Sequence, residues 1–341
     1  MVESPKTVLV TGGAGYVGSV LIKKLFAENY NIKIIDSLVY GSDGISDYSE
    51  NKIEFINLDI RKIQNIPNIF QDVNCIIHLA AIVGEPLCKK IPLAAKQINE
   101  LATKNIINLS KKYGVERFIF ASTCSNYGSS ENIVDENSPV SPLSLYSESK
   151  VNSENFLLSQ KSNTFQPCVL RFATAHGLSP RMRFDLLVQE FLRDAIVDKK
   201  ISIFGEDFWR PLIHVEDMAD ACISCINATP ELISGQIYNV GSNEENYTKK
   251  QLAEIIQKFI PDTEIEIIKS KKDPRNYKVS FDKIKKAFNF HTKKSVTDSV
   301  TEILREIDLG IIDPRDSEFS NMSKLTEQIN ALNNYQFDEN L

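Results

Sequence analysis

The sequence predicts an α/β protein with a doubly wound parallel sheet and a smaller C-terminal α/β lobe. Short apolar runs alternate with helical stretches through the first half of the chain, which is typical of a parallel sheet with helices on both faces. A glycine-rich turn separates the first strand from the first helix. After about residue 175 the pattern becomes less regular, which indicates a lobe built onto the first sheet.

The individual elements follow from the apolar pattern in chain order. The first strand is predicted at residues 7–10 and the first helix from Tyr16 to about Asn29. Further strands of the sheet are predicted at 32–35, 55–58, 75–79, 117–121 and 168–171. In the lobe, strands are predicted at 201–204, 212–215 and 237–240, and helices at 184–192 and 248–259, the second with Thr248 as its N-cap.

The length of 341 residues suits one large domain with an added lobe. We expect a dinucleotide-binding domain at residues 1–175 and a substrate-binding lobe at 176–315, with some lobe segments returning to the first sheet. Residues 316–341 are polar and rich in asparagine, so we expect a loosely held tail with one short helix around 324–332.

Composition and charge narrow the class of protein. Apolar residues make up 42% and charged residues 25% of the chain, as in ordinary soluble proteins. The net charge of −6 and the lack of a long basic run argue against nucleic-acid binding. No apolar run approaches the roughly 20 residues that span a bilayer, and the start of the chain does not resemble a signal peptide. We expect no membrane role and a cytoplasmic location.

The glycines of residues 11–18 form a G-x-x-G-x-x-G array directly between the first strand and the first helix. Gly12 would permit the tight turn, Gly15 would let the backbone approach a pyrophosphate, and Gly18 would let helix and strand pack closely. The helix N-terminus would then present unpaired N–H groups to the phosphates. This context predicts a Rossmann-type dinucleotide site.

Two acids follow the next two strands. Asp36 ends the second strand, where a carboxylate accepts hydrogen bonds from the adenosine ribose hydroxyls and repels a 2′-phosphate, so we predict NAD rather than NADP. Asp59 follows the third strand and is a candidate to accept the adenine amino group. Asp59 could instead cap a helix.

Tyr146 and Lys150 are four residues apart and share one face of a predicted helix. A fixed ammonium beside a phenol favours the ionised phenol, which would make Tyr146 a general base near neutral pH. Tyr48 and Lys52 have the same spacing, so the spacing alone does not select one pair.

The cysteines are interpreted as core residues. Cys222 and Cys225 have a redox or metal-binding spacing, but neither a second cysteine pair nor a histidine cluster accompanies them. They lie in an amphipathic helical stretch, where small apolar side chains pack into a core. We predict no metal site.

These motifs together resemble the extended short-chain dehydrogenase/reductases, in the NAD-dependent nucleotide-sugar epimerase/dehydratase branch. The similarity covers roughly residues 6–295. Its motifs are residues 11–18, Asp36, 58–60, 78–81, 121–123, Tyr146 with Lys150, 170–172, 210–217 and 238–241. In that family the catalytic tyrosine follows a strand that ends in Ser/Thr, as Tyr146 follows Ser122 and Thr123, so the resemblance selects Tyr146 over Tyr48.

The resemblance implies hydride transfer from a sugar to NAD. Tyr146 would take a proton from a sugar hydroxyl, Lys150 would hold the nicotinamide ribose and lower the pKa of Tyr146, and Thr123 would hydrogen-bond the reacting hydroxyl. The residues predicted to bind the cofactor are Gly12, Gly15, Tyr16, Val17, Gly18, Asp36, Asp59, Ile60, Leu79, Ala80, Ala81, Ser122, Tyr146, Lys150 and Phe172. The residues predicted to bind a nucleotide-diphosphate sugar are Cys124, Ser125, Thr174, Arg183, Arg210 and Arg275.

The product of the first step would be a keto sugar, most often at C4, which can be re-reduced, dehydrated or released. The 4,6-dehydratases of the family carry Asp-Glu after the threonine, whereas this chain has Cys124 and Ser125. Ordinary 4,6-dehydration is therefore disfavoured, and a variant elimination would have to use the Cys124 thiol as an acid.

Residues 178–188 and 83–89 resemble a subgroup that acts on sugars of bacterial surface polysaccharides and antibiotics and includes a 4-dehydrogenase of a GDP-linked heptose. A 4-epimerase and a 4-dehydrogenase are therefore the leading hypotheses. A protein that binds NAD but has lost the chemistry is the alternative from another class. The family commonly forms homodimers through the helix that bears the catalytic tyrosine and the helix before it, and we expect a homodimer here.

Overall fold

A seven-stranded parallel sheet forms the centre of this computed structural model, which describes residues 5–45, 53–269 and 275–333. In chain order the strands are β1 (Thr7–Thr11), β2 (Asn31–Asp36), β3 (Ile53–Asn57), β4 (Cys75–His78), β5 (Arg117–Thr123), β6 (Ser129–Val134), β7 (Gln166–Phe172), β8 (Thr174–His176), β9 (Lys200–Phe204), β10 (Trp209–His214), β11 (Gln236–Val240), β12 (Asn246–Thr248), β13 (Glu264–Ile268) and β14 (Asn276–Val279). The order in the central sheet is β11-β7-β5-β4-β1-β2-β3, and all neighbours are parallel. The predicted fold class is confirmed.

Helices cover both faces of this sheet. In chain order they are α1 (Tyr16–Ala27), α2 (Glu85–Lys90), α3 (Pro92–Lys96), α4 (Thr103–Lys112), α5 (Leu145–Ser159), α6 (Leu187–Val197), α7 (Val215–Asn227), α8 (Pro230–Ile233), α9 (Lys249–Phe259), α10 (Asp282–Phe288), α11 (Val296–Asp308) and α12 (Asn321–Asn333). A π-helical segment, Gln97–Ala102, joins α3 to α4. Within the part of the chain that the structure describes, no helix is both long and apolar enough to cross a membrane.

The order of the strands reverses beside β1. The chain runs outward through β1, β2 and β3, and then returns to place β4 on the other side of β1. In open α/β sheets, ligands bind where the strand order reverses, outside the carboxyl ends of the strands. The topology therefore places a binding crevice beyond the ends of β1 and β4.

Side chains of β1 alternate between two cores. Val8 and Val10 belong to the core cluster that also contains residues of α1 and α7, and Leu9 belongs to the cluster on the opposite face. Successive side chains of a strand point to opposite faces of its sheet, so a strand buried on both sides is apolar throughout. This explains the continuous apolar runs that the sequence shows at the central strands.

The lobe consists of short sheets beside the carboxyl ends of the central strands. β12, β10 and β8 form one sheet, β13 pairs with β9, and β14 pairs with β6. Thr248 caps α9 as predicted, in a capping box with Gln251. By contrast, β11 lies at the edge of the central sheet and pairs with β7, so a segment beyond residue 176 does return to the first sheet.

The expectation of a loosely held tail is wrong for residues 321–333. These residues form α12, which packs Leu325 and Leu332 into the second core, where they are 0% and 5% exposed. Met322 and Ile329 pack against the same core, so the four apolar side chains recur at helical spacing on one face. The short helix expected around residues 324–332 is thus present, and it begins at Asn321.

Candidate active site

A cavity of about 330 Å3 lies outside the carboxyl ends of the central strands, where the topology predicts a ligand. The predicted cofactor and substrate residues that line it are Gly12, Gly15, Tyr16, Val17, Gly18, Asp36, Asp59, Ile60, Leu79, Ala80, Ala81, Ser122, Thr123, Ser125, Tyr146, Lys150, Phe172, Thr174, Arg183 and Arg275. Residues from many separate parts of the sequence therefore meet at one site. Tyr48 and Lys52, the other pair with catalytic spacing, lie outside the described residues.

In the glycine loop, Gly12 is required by backbone packing, whereas Gly15 leaves space in the cavity. Gly12 has a φ of +76°, and an added Cβ would lie 2.7 Å from the backbone nitrogen of Ala80, so a side chain is excluded by packing. At Gly15 an added Cβ would meet only the carbonyl oxygen of Gly12, at 3.3 Å. Gly15 lines the cavity at the N-terminus of α1, so its missing side chain leaves room for a ligand there. This arrangement fits a diphosphate at the helix N-terminus.

Asp36 is oriented by backbone hydrogen bonds at the end of β2. Its Oδ2 accepts from the Ala14 nitrogen at 3.0 Å, and its Oδ1 accepts from the Leu38 nitrogen at 2.9 Å. Burial raises the pKa of Asp36, and these two hydrogen bonds oppose that rise. The carboxylate is fixed in the cavity wall with lone pairs left for ribose hydroxyls.

Asp59 caps a helical turn, which is the alternative role that the sequence allowed. Its Oδ1 accepts from the Arg61 nitrogen at 2.9 Å and caps the turn after β3, and its Oδ2 lies 2.7 Å from Arg61 Nη2. Asp59 nevertheless lines the cavity. Its contact with an adenine amino group stays a prediction.

Lys150 is buried beneath the catalytic end of the cavity. Its ammonium donates to the carbonyl oxygen of Ala121 at 2.8 Å and lies 4.7 Å from the centre of the Phe120 ring. The side chain is only 3% exposed. Burial lowers the pKa of Lys150 to about 8, although the nearby charge of Glu154 opposes that shift.

The structure corrects the predicted electrostatics of Tyr146. We expected the Lys150 ammonium to lower the pKa of the phenol, but burial raises that pKa above its ordinary value. The groups that lower it are the guanidiniums of Arg183 and Arg275. The physical reason is that desolvation disfavours a buried phenolate more strongly than these charges stabilise it.

Thr123 and Ser125 lie next to Tyr146 in the cavity wall. Thr123 ends β5, and its Oγ1 accepts from the Ser125 nitrogen at 3.1 Å, which fixes the threonine hydroxyl. The Tyr277 hydroxyl donates to Ser125 Oγ at 3.3 Å. Thr123, Tyr146 and Lys150 thus present a hydroxyl, a phenol and an ammonium to the same cavity.

Comparisons with known proteins agree with this geometry. Residues 8–241 match the model of the NAD dependent epimerase/dehydratase family. The chain belongs to this family.

Its relatives share the fold but carry names for different reactions. A putative UDP-glucose 4-epimerase of Methanocaldococcus jannaschii is 30% identical over 295 residues, which cover 85% of this chain and 93% of the relative. UDP-glucuronic acid decarboxylase 1 of Danio rerio is 26% identical, over 75% of this chain and 61% of the relative. The structure of the UDP-glucose 4-epimerase of Thermotoga maritima superposes with a TM-score of 0.77 at 23% identity, over 88% of this chain and 99% of that one.

The cofactor of this epimerase/dehydratase family member is NAD. The cavity fits its diphosphate and its adenosine ribose, because Gly15 leaves room at the N-terminus of α1 and Asp36 presents a fixed carboxylate. A further sign is the Tyr40 hydroxyl, which is buried and makes no hydrogen bond within the described part of the chain. Tyr40 lines the same cavity, so a ligand atom could satisfy it.

Two arginines stand beside Tyr40. The Arg181 guanidinium lies 5.8 Å from the centre of the Tyr40 ring, and Arg183 Nε lies 2.8 Å from Asp185 Oδ1. The charge of Arg183 lowers the pKa of Tyr16, Tyr40 and Tyr146, and Arg183 lines the same cavity as these phenols. The predicted substrate role of Arg183 stays a prediction. Tyr40 was missed in the sequence because it belongs to no motif.

Two predicted substrate residues do not line the cavity. Cys124 is 1% exposed, its thiol donates to the Arg171 carbonyl at 3.1 Å, and burial raises the pKa of that thiol. This placement argues against a substrate contact and against Cys124 as an acid. Arg210 is also buried, and it donates to the carbonyl oxygens of Trp209 at 2.8 Å and Arg275 at 2.6 Å. Arg210 therefore supports the backbone of Arg275, which does reach the cavity.

A buried ionic network behind the site was missed in the sequence. Glu154 is 2% exposed, and its carboxylate accepts from the Ser122 hydroxyl, from Asn126 Nδ2 at 2.8 Å and from Arg171 Nη2 at 2.6 Å. Glu154 follows Lys150 by one turn of α5, so the spacing of Tyr146, Lys150 and Glu154 was a signal that could have found it.

The structure describes all six cysteines, and each is buried and unbridged. Cys222 and Cys225 are 0% exposed on α7, which confirms that they are core residues. Among residues 5–45, 53–269 and 275–333, no group of three or more histidine, cysteine or acidic side chains could hold a metal ion.

Proposed function

We propose that this protein uses NAD to oxidise a nucleotide-diphosphate sugar at C4, as a 4-epimerase or a 4-dehydrogenase. The observation that carries the proposal is that Thr123, Tyr146 and Lys150 line the same cavity as the glycine loop and Asp36. A sugar hydroxyl beside Tyr146 would then lie within reach of a dinucleotide bound along the carboxyl ends of β1, β2 and β4. The names of the relatives support a nucleotide-linked sugar as the substrate class.

The binding residues act at separate points of the cavity. The N-terminus of α1 behind Gly15 would bind the diphosphate of the dinucleotide, and Asp36 would accept hydrogen bonds from the hydroxyls of its adenosine ribose. Arg275 reaches the cavity from the lobe and suits a sugar-linked diphosphate. When bound, oxidised NAD supplies the hydride acceptor and a positively charged ring.

Proton removal requires an ionised Tyr146. The raised pKa of its phenol means that the ligand-free protein keeps it protonated, so Tyr146 ionises only when further positive charge enters the cavity. Bound oxidised NAD would supply that charge through its positive ring, while Lys150, which has a pKa of about 8 and is largely charged at neutral pH, would hold a ribose hydroxyl. Thr123 would hold the reacting oxygen as Tyr146 takes its proton.

The cavity argues against elimination of water. A dehydratase needs an acid and a base beside the sugar in addition to the tyrosine. Among the described residues, the carboxylates that line the cavity are Asp36 and Asp59. They lie at the end of β2 and just after β3, whereas Thr123 ends β5 and Tyr146 lies on α5. Cys124 is turned away, and Ser125 has no acidic or basic group of suitable pKa.

A panel of UDP-, GDP-, dTDP- and CDP-linked sugars tests the proposal. Each sugar is incubated with the protein and NAD, and mass and absorbance are followed. Product of unchanged mass with catalytic NAD identifies an epimerase, and loss of two hydrogens with accumulating NADH identifies a dehydrogenase. Loss of water would contradict the proposal.

Tyr146→Phe separates chemistry from binding. It should lower turnover by about a hundredfold or more, while NAD still binds. Tyr113→Phe is the matched control, since Tyr113 packs against Phe70 outside the cavity. Full activity of Tyr146→Phe would refute Tyr146 as the base, and an inactive wild type with every sugar would favour an NAD-binding protein without this chemistry. Homodimerisation stays a prediction.

A further inference from the structure

Helix α12 covers one half of the NAD cavity. Asn321 and Leu332, near its two ends, both line the cavity. Asp36 at the end of β2 and Asp59 just after β3 both line the cavity, and in the proposed NAD site they mark the adenosine half, as opposed to the half at Tyr146. The match to the family model ends at residue 241, so α12 is an element that the family model does not describe.

Hydrogen bonds attach α12 to the loops of that half. At its start, Asn321 Oδ1 accepts from Arg181 Nη2 at 3.2 Å, and the Asn321 nitrogen donates to Asp185 at 3.1 Å. In its middle, Gln328 donates to the carbonyl oxygen of Val39, in the loop after β2, at 3.3 Å. The helix thus spans loops that follow different strands.

Arg61 attaches the end of α12. Its side chain is 1% exposed, and its Nη1 donates to the carbonyl oxygen of Leu332 at 2.9 Å and to Gln97 at 3.0 Å. The same guanidinium pairs with Asp59. A cation suits this position because the last carbonyls of a helix lack partners within the helix and carry partial negative charge. One buried guanidinium therefore joins α12 to the turn predicted to contact adenine.

The apolar face of α12 holds it down independently of these bonds. Leu325 is completely buried in the core cluster on this face of the sheet, and Lys90 of α2 reaches across to Thr326 at 2.5 Å. A ligand seated against Asp36 and Asp59 would lie behind α12. Its release would require α12 to lift or the loops after β2 and β3 to part.

We propose that α12 is a cofactor-retaining clamp, in which Asn321 and Leu332 contact the adenosine half of NAD and Arg61 locks the helix over it. The inference rests on the NAD site of the proposed function and not on which sugar is oxidised. A retained cofactor suits an enzyme that returns the hydride within one turnover, because NADH then need not leave. The clamp thus favours the 4-epimerase over the 4-dehydrogenase.

The test measures NAD release in the absence of any sugar. Leu325→Asp places a charge in the core beneath α12 and should detach the helix. Asn330→Asp adds the same charge at an exposed position of α12 and is the matched control. Displacement of bound NAD, followed by stopped flow, should be about tenfold or more faster in Leu325→Asp, since lost contacts weaken binding tenfold for about each 1.4 kcal/mol. Asn330→Asp should match the wild type.

Circular dichroism would reveal whether Leu325→Asp misfolds, and a second variant tests the clamp in that case. Leu332→Ala keeps the helix and removes a side chain from the cavity wall, and it should release NAD severalfold faster. In the wild type, NAD should also slow hydrogen exchange at the amides of residues 321–333. Unchanged release in the folded variants, together with unchanged exchange in α12, would overturn the clamp. An inactive sugar panel would leave all these measurements intact, so the two failures are distinguishable.

Discussion

Glu154 and Arg171 form a buried ion pair, with 2.6 Å between Glu154 Oε2 and Arg171 Nη2. Glu154 lies on α5, one turn after Lys150. Burial alone would lower the pKa of Arg171, but the hydrogen bonds and charge of Glu154 raise it. The charge of Glu154 also opposes the burial that lowers the pKa of Lys150. The pair therefore belongs to the electrostatic surroundings of Lys150, the lysine predicted to be catalytic.

Removing the charge of Glu154 should destabilise the fold. Glu154→Gln leaves the Arg171 guanidinium buried without its anion, so the free energy of unfolding should fall by about 3–5 kcal/mol, measured by urea denaturation. Glu85→Gln is the matched control, because Glu85 is only partly buried, its partner Lys89 is exposed, and the pair should contribute less than about 1 kcal/mol. Equal, small losses in both variants would contradict the role given to the pair.

Lys150→Met should abolish turnover and yet stabilise the protein at neutral pH. The folded-state pKa of Lys150, about 8, lies below the ordinary value of 10.5, so the folded protein binds this proton more weakly than the unfolded chain does. Wild-type stability should therefore rise with pH through the window between those two values. Below it the buried charge costs stability, and methionine removes that cost.

The expected gain in the free energy of unfolding is about 1–3 kcal/mol near neutral pH, after allowance for the lost hydrogen bond to Ala121. The gain should disappear as the pH approaches about 10.5. Urea denaturation at several pH values measures it, with Lys89→Met as the exposed control. A loss of stability at neutral pH would show that the ammonium contributes more to packing and hydrogen bonding than its desolvation costs.

Asp36→Asn should weaken NAD binding and reduce the preference for NAD over NADP. The amide keeps one oxygen to accept from Ala14 or Leu38 but has no charge to repel a 2′-phosphate or to strengthen ribose hydrogen bonds. Calorimetry should give an NAD Kd raised about tenfold or more. Asp72→Asn, exposed and outside the cavity, should leave both affinities unchanged. An unaltered ratio of NAD to NADP affinity would refute this role.

Cys124→Ala should leave catalysis nearly intact. Its thiol faces the Arg171 carbonyl and not the cavity, so kcat/KM should change by less than about threefold, well below the tenfold that about 1.36 kcal/mol of barrier represents. Ser125→Ala, one residue later and in the cavity wall, should cause the larger loss. If the Cys124→Ala variant folds but is inactive, the Cys124 thiol becomes a candidate acid again.

The local motifs could be predicted from the sequence because each is defined by the spacing of a few residues along the chain. The glycines of the loop, Asp36 at the end of a strand, and Tyr146 with Lys150 on a helix each follow from the periods of strands and helices. A parallel sheet then brings the carboxyl ends of its strands to one edge, so the prediction that these residues share a site needed no coordinates.

Residues in contact across long sequence distances were not predictable in this way. Glu154 meets Arg171, and Arg61 meets Leu332, through packing of elements that the sequence does not order in space. Cys124 follows Thr123 in the chain, but its thiol lies against the Arg171 carbonyl and does not line the cavity.

The sequence by itself determined the fold and the NAD cofactor, and it brought the residues predicted to begin the chemistry to one cavity, because these depend on short spacings and on strand order. Only the tertiary structure decided how those residues are tuned and enclosed. Burial sets the direction of the pKa shifts of Tyr146 and Lys150, and long-range packing places α12 over the cavity. Desolvation and enclosure are properties of the assembled interior, which no local stretch of sequence contains.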